Sequence, residues 1–132
     1  MKKWGFSILI ISVILVSGCL ENNQTTTTTT PPLSDNPKIN ITSEGFEPNV
    51  ISIEQGKTVT FVNKDTQKHW PASDVHPTHK DYPEKGGCIG SAFDACKGLP
   101  QGENYSFTFE KKGEWTYHDH LNPSMKGTII VK

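Results

Sequence analysis

The five histidines of this chain fall into three groups along the sequence, and imidazole is a common ligand of copper and zinc. The groups are His69 alone, His76 with His79, and His118 with His120. The sequence has neither the G-x-S-x-G motif of serine hydrolases nor a glycine-rich phosphate-binding loop followed by Lys. We therefore expect metal binding through histidine and no catalytic residues, although a small metalloenzyme remains an alternative.

Two further candidate ligands lie in the C-terminal segment WTYHDHLNPSMKG, which also carries the last histidine pair. Asp119 offers a carboxylate and Met125 offers a thioether. Because side chains alternate along a strand, we expect Asp119 to face the core, whereas His118 and His120 point to the opposite side. The candidate metal ligands are His69, His76, His79, His118, Asp119, His120 and Met125.

A scaffold must bring these ligands together, and the sequence of residues 38–132 predicts a β-sandwich. Apolar and polar residues alternate with a period of two, in short runs that are rich in β-branched and aromatic residues and separated by glycine turns. The runs are Ile39–Ile41, Val50–Ile53, Thr58–Val62, Tyr105–Phe109, Glu114–Tyr117 and Thr128–Val131. We predict a single all-β domain, an antiparallel Greek-key β-sandwich.

One long segment, from residue 63 to residue 104, has no clear periodicity. Loops of this length inside a compact domain are usually functional, and this one carries three of the five histidines. It also contains Cys88 and Cys96, and an even pair of cysteines in an exported domain predicts a disulfide. Metal binding by the two thiols is the alternative interpretation.

The order of these features resembles the cupredoxin family, whose members are small copper-binding β-sandwiches. The resemblance covers nearly all of residues 44–132. It rests on GFEP at 45–48, ISI at 51–53, Gly56, VTF at 59–61, NKD at 63–65, His69, and the strand, ligand-rich loop and strand that end the chain. The resemblance implies a cupredoxin-like sandwich with a copper site at one end.

Cupredoxins usually bind copper through two His, one Cys and one Met. The resemblance aligns His69 with the first His, Asp119 with the Cys, Asn122 with the second His and Met125 with the Met. The usual thiolate is therefore missing, and a site of imidazoles and a carboxylate favours a tetragonal, non-blue Cu(II) site or a Zn(II) site. If the alternation instead fails at Asp119, where the loop begins, His120 turns inward and replaces the missing imidazole, so that His69 and His120 share the ion.

Alternative interpretations stay open for the histidines. His69 is alternatively a loop residue without a ligand role. His76 and His79 are alternatively surface turn residues, or a second and weaker site. His118 is alternatively a solvent-facing residue of an edge strand.

The other candidates also have structural interpretations. Asp119 alternatively accepts hydrogen bonds from loop amides, and Met125 alternatively fills the core. The aromatic residues near the candidate ligands, Trp70 and Tyr117 among them, are predicted to belong to the core.

The N-terminus has the pattern of an export signal. Two lysines precede the apolar run from Phe6 to Val16, which is too short to cross a bilayer, and VSGC at 16–19 resembles a lipoprotein signal. We predict a signal peptide at 1–18, followed by lipidated Cys19 within a Thr/Pro-rich linker at 19–37. An uncleaved anchor is the alternative. The predicted location is extracytoplasmic, with the domain tethered to the outer face of the membrane.

Composition narrows the choice of partners. The chain contains no arginine and has a formal net charge of −1, so we predict no nucleic-acid binding. We predict an extracytoplasmic, membrane-tethered copper-binding protein for copper binding, delivery or sequestration. Its partners are then the membrane, through the lipid, and a copper-donor or copper-acceptor protein. The alternatives are an electron-transfer cupredoxin and a metal-free interaction module with the same fold.

Overall fold

The computed structural model describes residues 31–35 and 37–132, and these residues form eight β-strands and no helix. The strands are β1 Lys38–Thr42, β2 Gly45–Glu47, β3 Val50–Ile53, β4 Thr58–Asn63, β5 Pro71–Ser73, β6 Asn104–Thr108, β7 Gly113–Asp119 and β8 Asn122–Val131. Nothing in this described part is a helix long and apolar enough to cross a membrane. The predicted signal peptide, Cys19 and most of the predicted linker lie outside the described residues.

The strands form two four-stranded sheets, with the orders β2-β1-β4-β6 and β3-β8-β7-β5. This arrangement confirms the predicted all-β sandwich. The prediction of purely antiparallel sheets was wrong, because β1 pairs with β4 and β3 pairs with β8 in parallel. Both parallel pairs arise because the chain crosses to the second sheet for β3 and then returns to the first sheet for β4, which places non-consecutive strands side by side.

The core lies between the two sheets and consists of the inward-facing residues that the alternation predicted. Phe61 of β4 and Tyr117 of β7 are fully buried, and their rings meet edge to face with centroids 5.3 Å apart. Phe46 of β2 packs on the same tyrosine at 4.7 Å. Tyr117 therefore ties both sheets together directly beside the histidines that follow it.

The long segment predicted between residues 63 and 104 is interrupted by β5, which pairs with β7. Its remainder, residues 74–103, contains no strand but is attached to the core by two buried aromatic residues. Phe93 stacks on Phe107 with centroids 5.2 Å apart. The hydroxyl of Tyr82 accepts hydrogen bonds from the amides of Glu110 and Lys111 at 2.9 and 3.2 Å. These contacts fix the loop against the sandwich.

Candidate metal centre

At the end of β7 and in the residue that follows it, the side chains alternate between the two sides of the sheet, as the sequence predicted. Tyr117 and Asp119 point to the core side, where the Asp119 carboxylate contacts His69. His118 and His120 point to the other side, and the two rings lie 6.2 Å apart between centroids. A register shift between His118 and Asp119 occurs where the strand approaches its turn. The expectation that His120 turns inward to join His69 was wrong.

The turn that follows β5 brings two more imidazoles to this side of the sheet. Ala72 of β5 pairs with His118, so the residues after β5 pass directly over the histidines of β7. The carbonyl of Val75 accepts hydrogen bonds from the amides of Thr78 and His79 at 2.8 and 2.9 Å. The resulting tight turn places His79, in a left-handed conformation with φ of 48°, over the sheet.

The structure thus joins two of the predicted histidine groups into one cluster. His76, His79, His118 and His120 each offer one ring nitrogen, and these nitrogens all lie within 4.8 Å of one another. Nδ1 of His76 is 3.3 Å from Nε2 of His118, and Nε2 of His79 is 2.9 Å from Nδ1 of His120. Four imidazoles with converging nitrogens form a donor set for copper or zinc. Of the two residues interpreted as surface turn residues, His76 is exposed in a turn, whereas His79 is fully buried.

Two of the imidazoles have a carboxylate close to Nδ1, the ring nitrogen that faces away from the cluster. Nδ1 of His79 donates to Oδ2 of Asp94 at 2.8 Å, and both side chains are fully buried. Nδ1 of His118 lies 3.2 Å from Oδ1 of Asp74, although the geometry is not that of a hydrogen bond and neither atom has a partner among the described residues. The hydrogen bond of His79 places its proton on Nδ1, which leaves the lone pair of Nε2 directed into the cluster, and the charge of Asp74 favours the same tautomer of His118.

The indole of Trp70 packs against the imidazole of His120. The two ring centroids are 4.4 Å apart, and the backbone amide of His120 donates to the carbonyl of Trp70 at 2.7 Å. The indole Nε1 donates to Oδ1 of Asp94 at 2.6 Å. Trp70 is half-buried, and its role here is to connect the Asp94 carboxylate to the cluster. The prediction of Trp70 as a core residue was therefore incomplete.

The environment keeps the β7 imidazoles neutral. Burial is the main cause that lowers the pKa of His118 to about 4; Asp74 opposes the shift, and the neighbouring His79 and His76 add to it. Burial and the same two histidines lower the pKa of His120. Since the neutral imidazole is the form that binds a metal ion, both side chains are in the ligand form at neutral pH.

His69 lies on the other side of β7, between two carboxylates. Its Nδ1 is 2.8 Å from Oδ2 of Asp119, and its Nε2 is 3.0 Å from Oδ2 of Asp65. The hydrogen bond with His69 lowers the pKa of Asp65. Oδ1 of Asp119 also accepts hydrogen bonds from the amides of Trp70 and Leu121 at 2.7 and 3.1 Å. Asp119 thus accepts hydrogen bonds from loop amides, as one sequence interpretation proposed.

The prediction that His69 and His120 share an ion was wrong, because the two side chains lie on opposite sides of β7. His69 instead borders an open cavity of about 890 Å³, together with Asp119, Asn122 and Met125. Met125 is only 9% exposed and also packs into the core, which agrees with its structural interpretation. Asp119 and Met125 therefore line this cavity with His69, and Asp119 does not belong to the four-histidine cluster.

A family model for the cupredoxin-like domain matches residues 8–131. This chain belongs to the cupredoxin-like domain family. The match covers almost the whole sequence and agrees with the two-sheet sandwich described above. The four converging imidazoles of this cupredoxin-like protein form a candidate metal centre.

Among characterised relatives, the cupredoxin-like chain is 28% identical to amicyanin of Paracoccus denitrificans over 96 residues. That match covers 71% of this chain and 63% of the amicyanin sequence, so this chain spans less than two thirds of its relative. It is also similar to part of the copper-containing nitrite reductase of Thermus scotoductus, with 29% identity and a TM-score of 0.55. This second match covers 74% of the chain and 22% of the reductase.

Two further solved structures support the fold. A purple cupredoxin from Nitrosopumilus maritimus superposes with a TM-score of 0.60 at 21% identity, covering 74% of this chain and all of the other. A reduced Cu(I) form of an amicyanin variant superposes with a TM-score of 0.58 at 21% identity, covering 75% of this chain and 84% of the other. At this level of identity the similarity establishes the sandwich architecture.

The predicted disulfide between Cys88 and Cys96 is present, with the two Cα atoms 5.6 Å apart. It closes the part of the loop that carries Asp94, whose Oδ1 accepts a hydrogen bond from the amide of Cys96 at 2.8 Å. The alternative, in which the two thiols bind metal, is contradicted by this bond. The bridge instead fixes the loop next to the cluster.

Sequence reasoning missed the two carboxylates behind the imidazoles, Asp94 and Asp74. Neither belongs to a recognisable motif, because the histidine that each contacts is distant in sequence: His79 for Asp94 and His118 for Asp74. One signal did exist for Asp94, which lies between the two bridged cysteines. A disulfide inside a loop that carries metal ligands restricts the motion of the residues between its cysteines, so a side chain there is suited to positioning a ligand.

Proposed function

We propose that this protein binds copper outside the cytoplasm through a non-blue centre formed by His76, His79, His118 and His120. The observation that carries the proposal is the convergence of four imidazole nitrogens within 4.8 Å of one another. Histidine nitrogens suit Cu(II), and Cu(II) binds such donors more tightly than the other common divalent metals do. Bound copper would be a tightly bound cation that the protein can still transfer to a partner.

The residues of the cluster fit such an ion. Three of the four side chains are wholly or partly buried, and the pKa of His118 is lowered to about 4 by burial, so this ligand needs no deprotonation at neutral pH. Nδ1 of His118 is buried 3.2 Å from Oδ1 of Asp74, and the negative charge of this carboxylate would stabilise a cation bound at Nε2 of the same ring.

The cavity beside His69 does not fit a blue copper centre. Blue copper requires a thiolate, two imidazoles and a weak axial ligand, whereas this cavity offers one imidazole, a carboxylate, an amide and the thioether of Met125. The two cysteines of the described domain are bonded to each other. A centre made of imidazoles alone favours binding, delivery or sequestration of copper over fast electron transfer.

The proposed extracytoplasmic location, and with it the proposed partners, rest on the N-terminal sequence. The signal-like residues 1–18 and Cys19 support export and tethering of the domain to the outer face of the membrane through a lipid. The disulfide of the domain agrees with an oxidising compartment. A copper-donor or copper-acceptor protein at the same membrane surface is then the expected partner.

Titration of the full chain with Cu(II), followed by electron paramagnetic resonance, tests this function. We expect one equivalent to bind, with nitrogen hyperfine coupling and without an intense visible charge-transfer band. His79→Ala should abolish tight binding, whereas His69→Ala, a matched control on the other side of β7, should retain it. An intense visible band would favour an electron carrier, preference for Zn(II) would reassign the metal, and absence of stoichiometric binding would favour a metal-free module.

A further inference from the structure

The four imidazoles of the cluster are held very differently. His79 and His118 are fully buried, and each has a carboxylate within 3.2 Å of its Nδ1. His120 is half-buried, with the ring of Trp70 tilted against its own at 4.4 Å and the Trp70 carbonyl accepting a hydrogen bond from its amide. These three imidazoles form a held trio whose positions are fixed from outside the cluster.

His76 has none of these supports. Its side chain is exposed, and among the described residues its ring nitrogens make one hydrogen bond, to Nε2 of His118 at 3.3 Å. Its sequence neighbours Val75 and Pro77 are exposed as well. Rotation of this imidazole away from the cluster therefore breaks one hydrogen bond and the ring contacts with His118 and His120, whose centroids lie 5.3 and 4.8 Å away.

A ligand that is exposed and unsupported leaves a metal ion more readily than one that is buried and positioned by a carboxylate. Departure of His79 or His118 would require a buried imidazole to move against its packing, which is a local unfolding event. Departure of His76 requires only a side-chain rotation into water, which is a much faster motion.

From this asymmetry we infer that His76 is the exchange ligand of the centre, and that the metal ion enters and leaves through the surface that His76 occupies. The held trio provides most of the affinity, and His76 controls the rate. This inference rests on the proposed function and adds the route by which copper is handed to a chelating partner.

The test measures the rate at which the Cu(II)-loaded full chain loses copper to excess EDTA, together with the number of coupled nitrogens. We expect His76→Ala to retain stoichiometric Cu(II) and to transfer it at least about tenfold faster than the parent protein. Free imidazole should restore both the slow transfer and the nitrogen coupling, because the vacated position faces solvent. Val75→Ala is the matched control, since it alters the same exposed turn without removing a ligand.

The held trio should behave differently. In His118→Ala the missing ligand is buried, so free imidazole cannot enter and should restore neither the affinity nor the slow transfer. The inference is overturned if His76→Ala transfers copper at the rate of the parent, or if imidazole rescues both variants equally. If the parent protein binds no copper, the proposed function itself fails, and the two failures are thereby distinguished.

Discussion

Nδ1 of His79 lies 2.8 Å from Oδ2 of Asp94, and neither side chain is exposed to solvent. The same carboxylate accepts hydrogen bonds from the indole of Trp70 and from the amide of Cys96 through its other oxygen. One buried acid thus links the disulfide loop to two imidazoles of the cluster, His79 directly and His120 through Trp70. This link makes Asp94 a positioning residue rather than a ligand.

Asp94→Asn should weaken copper binding by about 10- to 100-fold, as is typical of lost outer-shell carboxylates. The amide no longer favours the tautomer of His79 whose Nε2 lone pair faces the cluster. Competition titration with a chromophoric chelator measures the loss, and the number of coupled nitrogens should stay unchanged. Glu103→Gln, an exposed carboxylate paired with Lys97, is the control and should bind as the parent does. Unchanged affinity in Asp94→Asn would remove its positioning role.

His69→Ala should destabilise the fold without altering the copper stoichiometry. The substitution leaves Oδ2 of Asp119 buried without its partner, and leaving a buried acceptor unsatisfied costs about 1–3 kcal/mol. Denaturant unfolding measures the change in free energy, and electron paramagnetic resonance of the loaded variant measures the ligand set. A change in nitrogen coupling would show that His69 is a ligand after all.

Mutation of both bridged cysteines, Cys88→Ser with Cys96→Ser, should lower the free energy of unfolding by about 2–3 kcal/mol, because the closed loop is short. It should also weaken copper binding, since the loop that carries Asp94, and the amide at position 96 that donates to it, are then no longer fixed by the bridge. Chemical denaturation and chelator competition on the same samples separate the two effects. Loss of stability with unchanged copper affinity would mean that the bridge and the centre are independent.

The metal-free protein should lose stability in mild acid. The pKa of His118 is about 4 in the folded protein and near 6.5 when unfolded, so folding favours the neutral form. The stabilisation is therefore complete above pH 6.5 and declines as the pH falls towards 4, by at most about 3 kcal/mol. The lowered pKa of His120 acts in the same direction.

Thermal unfolding of the metal-free protein between pH 7.5 and pH 4.5 measures this decline. His118→Gln serves as the comparison, because glutamine cannot take up the proton, and its melting temperature should depend less on pH over the same interval. Identical pH profiles for the two proteins would contradict the assignment of the effect to His118.

Much of the scaffold could be predicted from local patterns. The period of two identified the strands, and the alternation along β7 correctly separated Asp119 from His118 and His120. The cysteine pair predicted the disulfide. The parallel pairings of β1 with β4 and of β3 with β8 were missed, because strand order depends on how the chain crosses between sheets and not on the composition of each strand.

The chain by itself determined which side chains are available for metal binding, and which of them share a face of a strand, because alternation is a property of neighbouring residues. Only the tertiary structure decided their partners. The pairing of β5 with β7 placed His76 and His79 over His118 and His120, while His69 paired with carboxylates on the opposite side. Contacts between residues about 40 positions apart depend on packing of the whole sandwich, so no local pattern contains them.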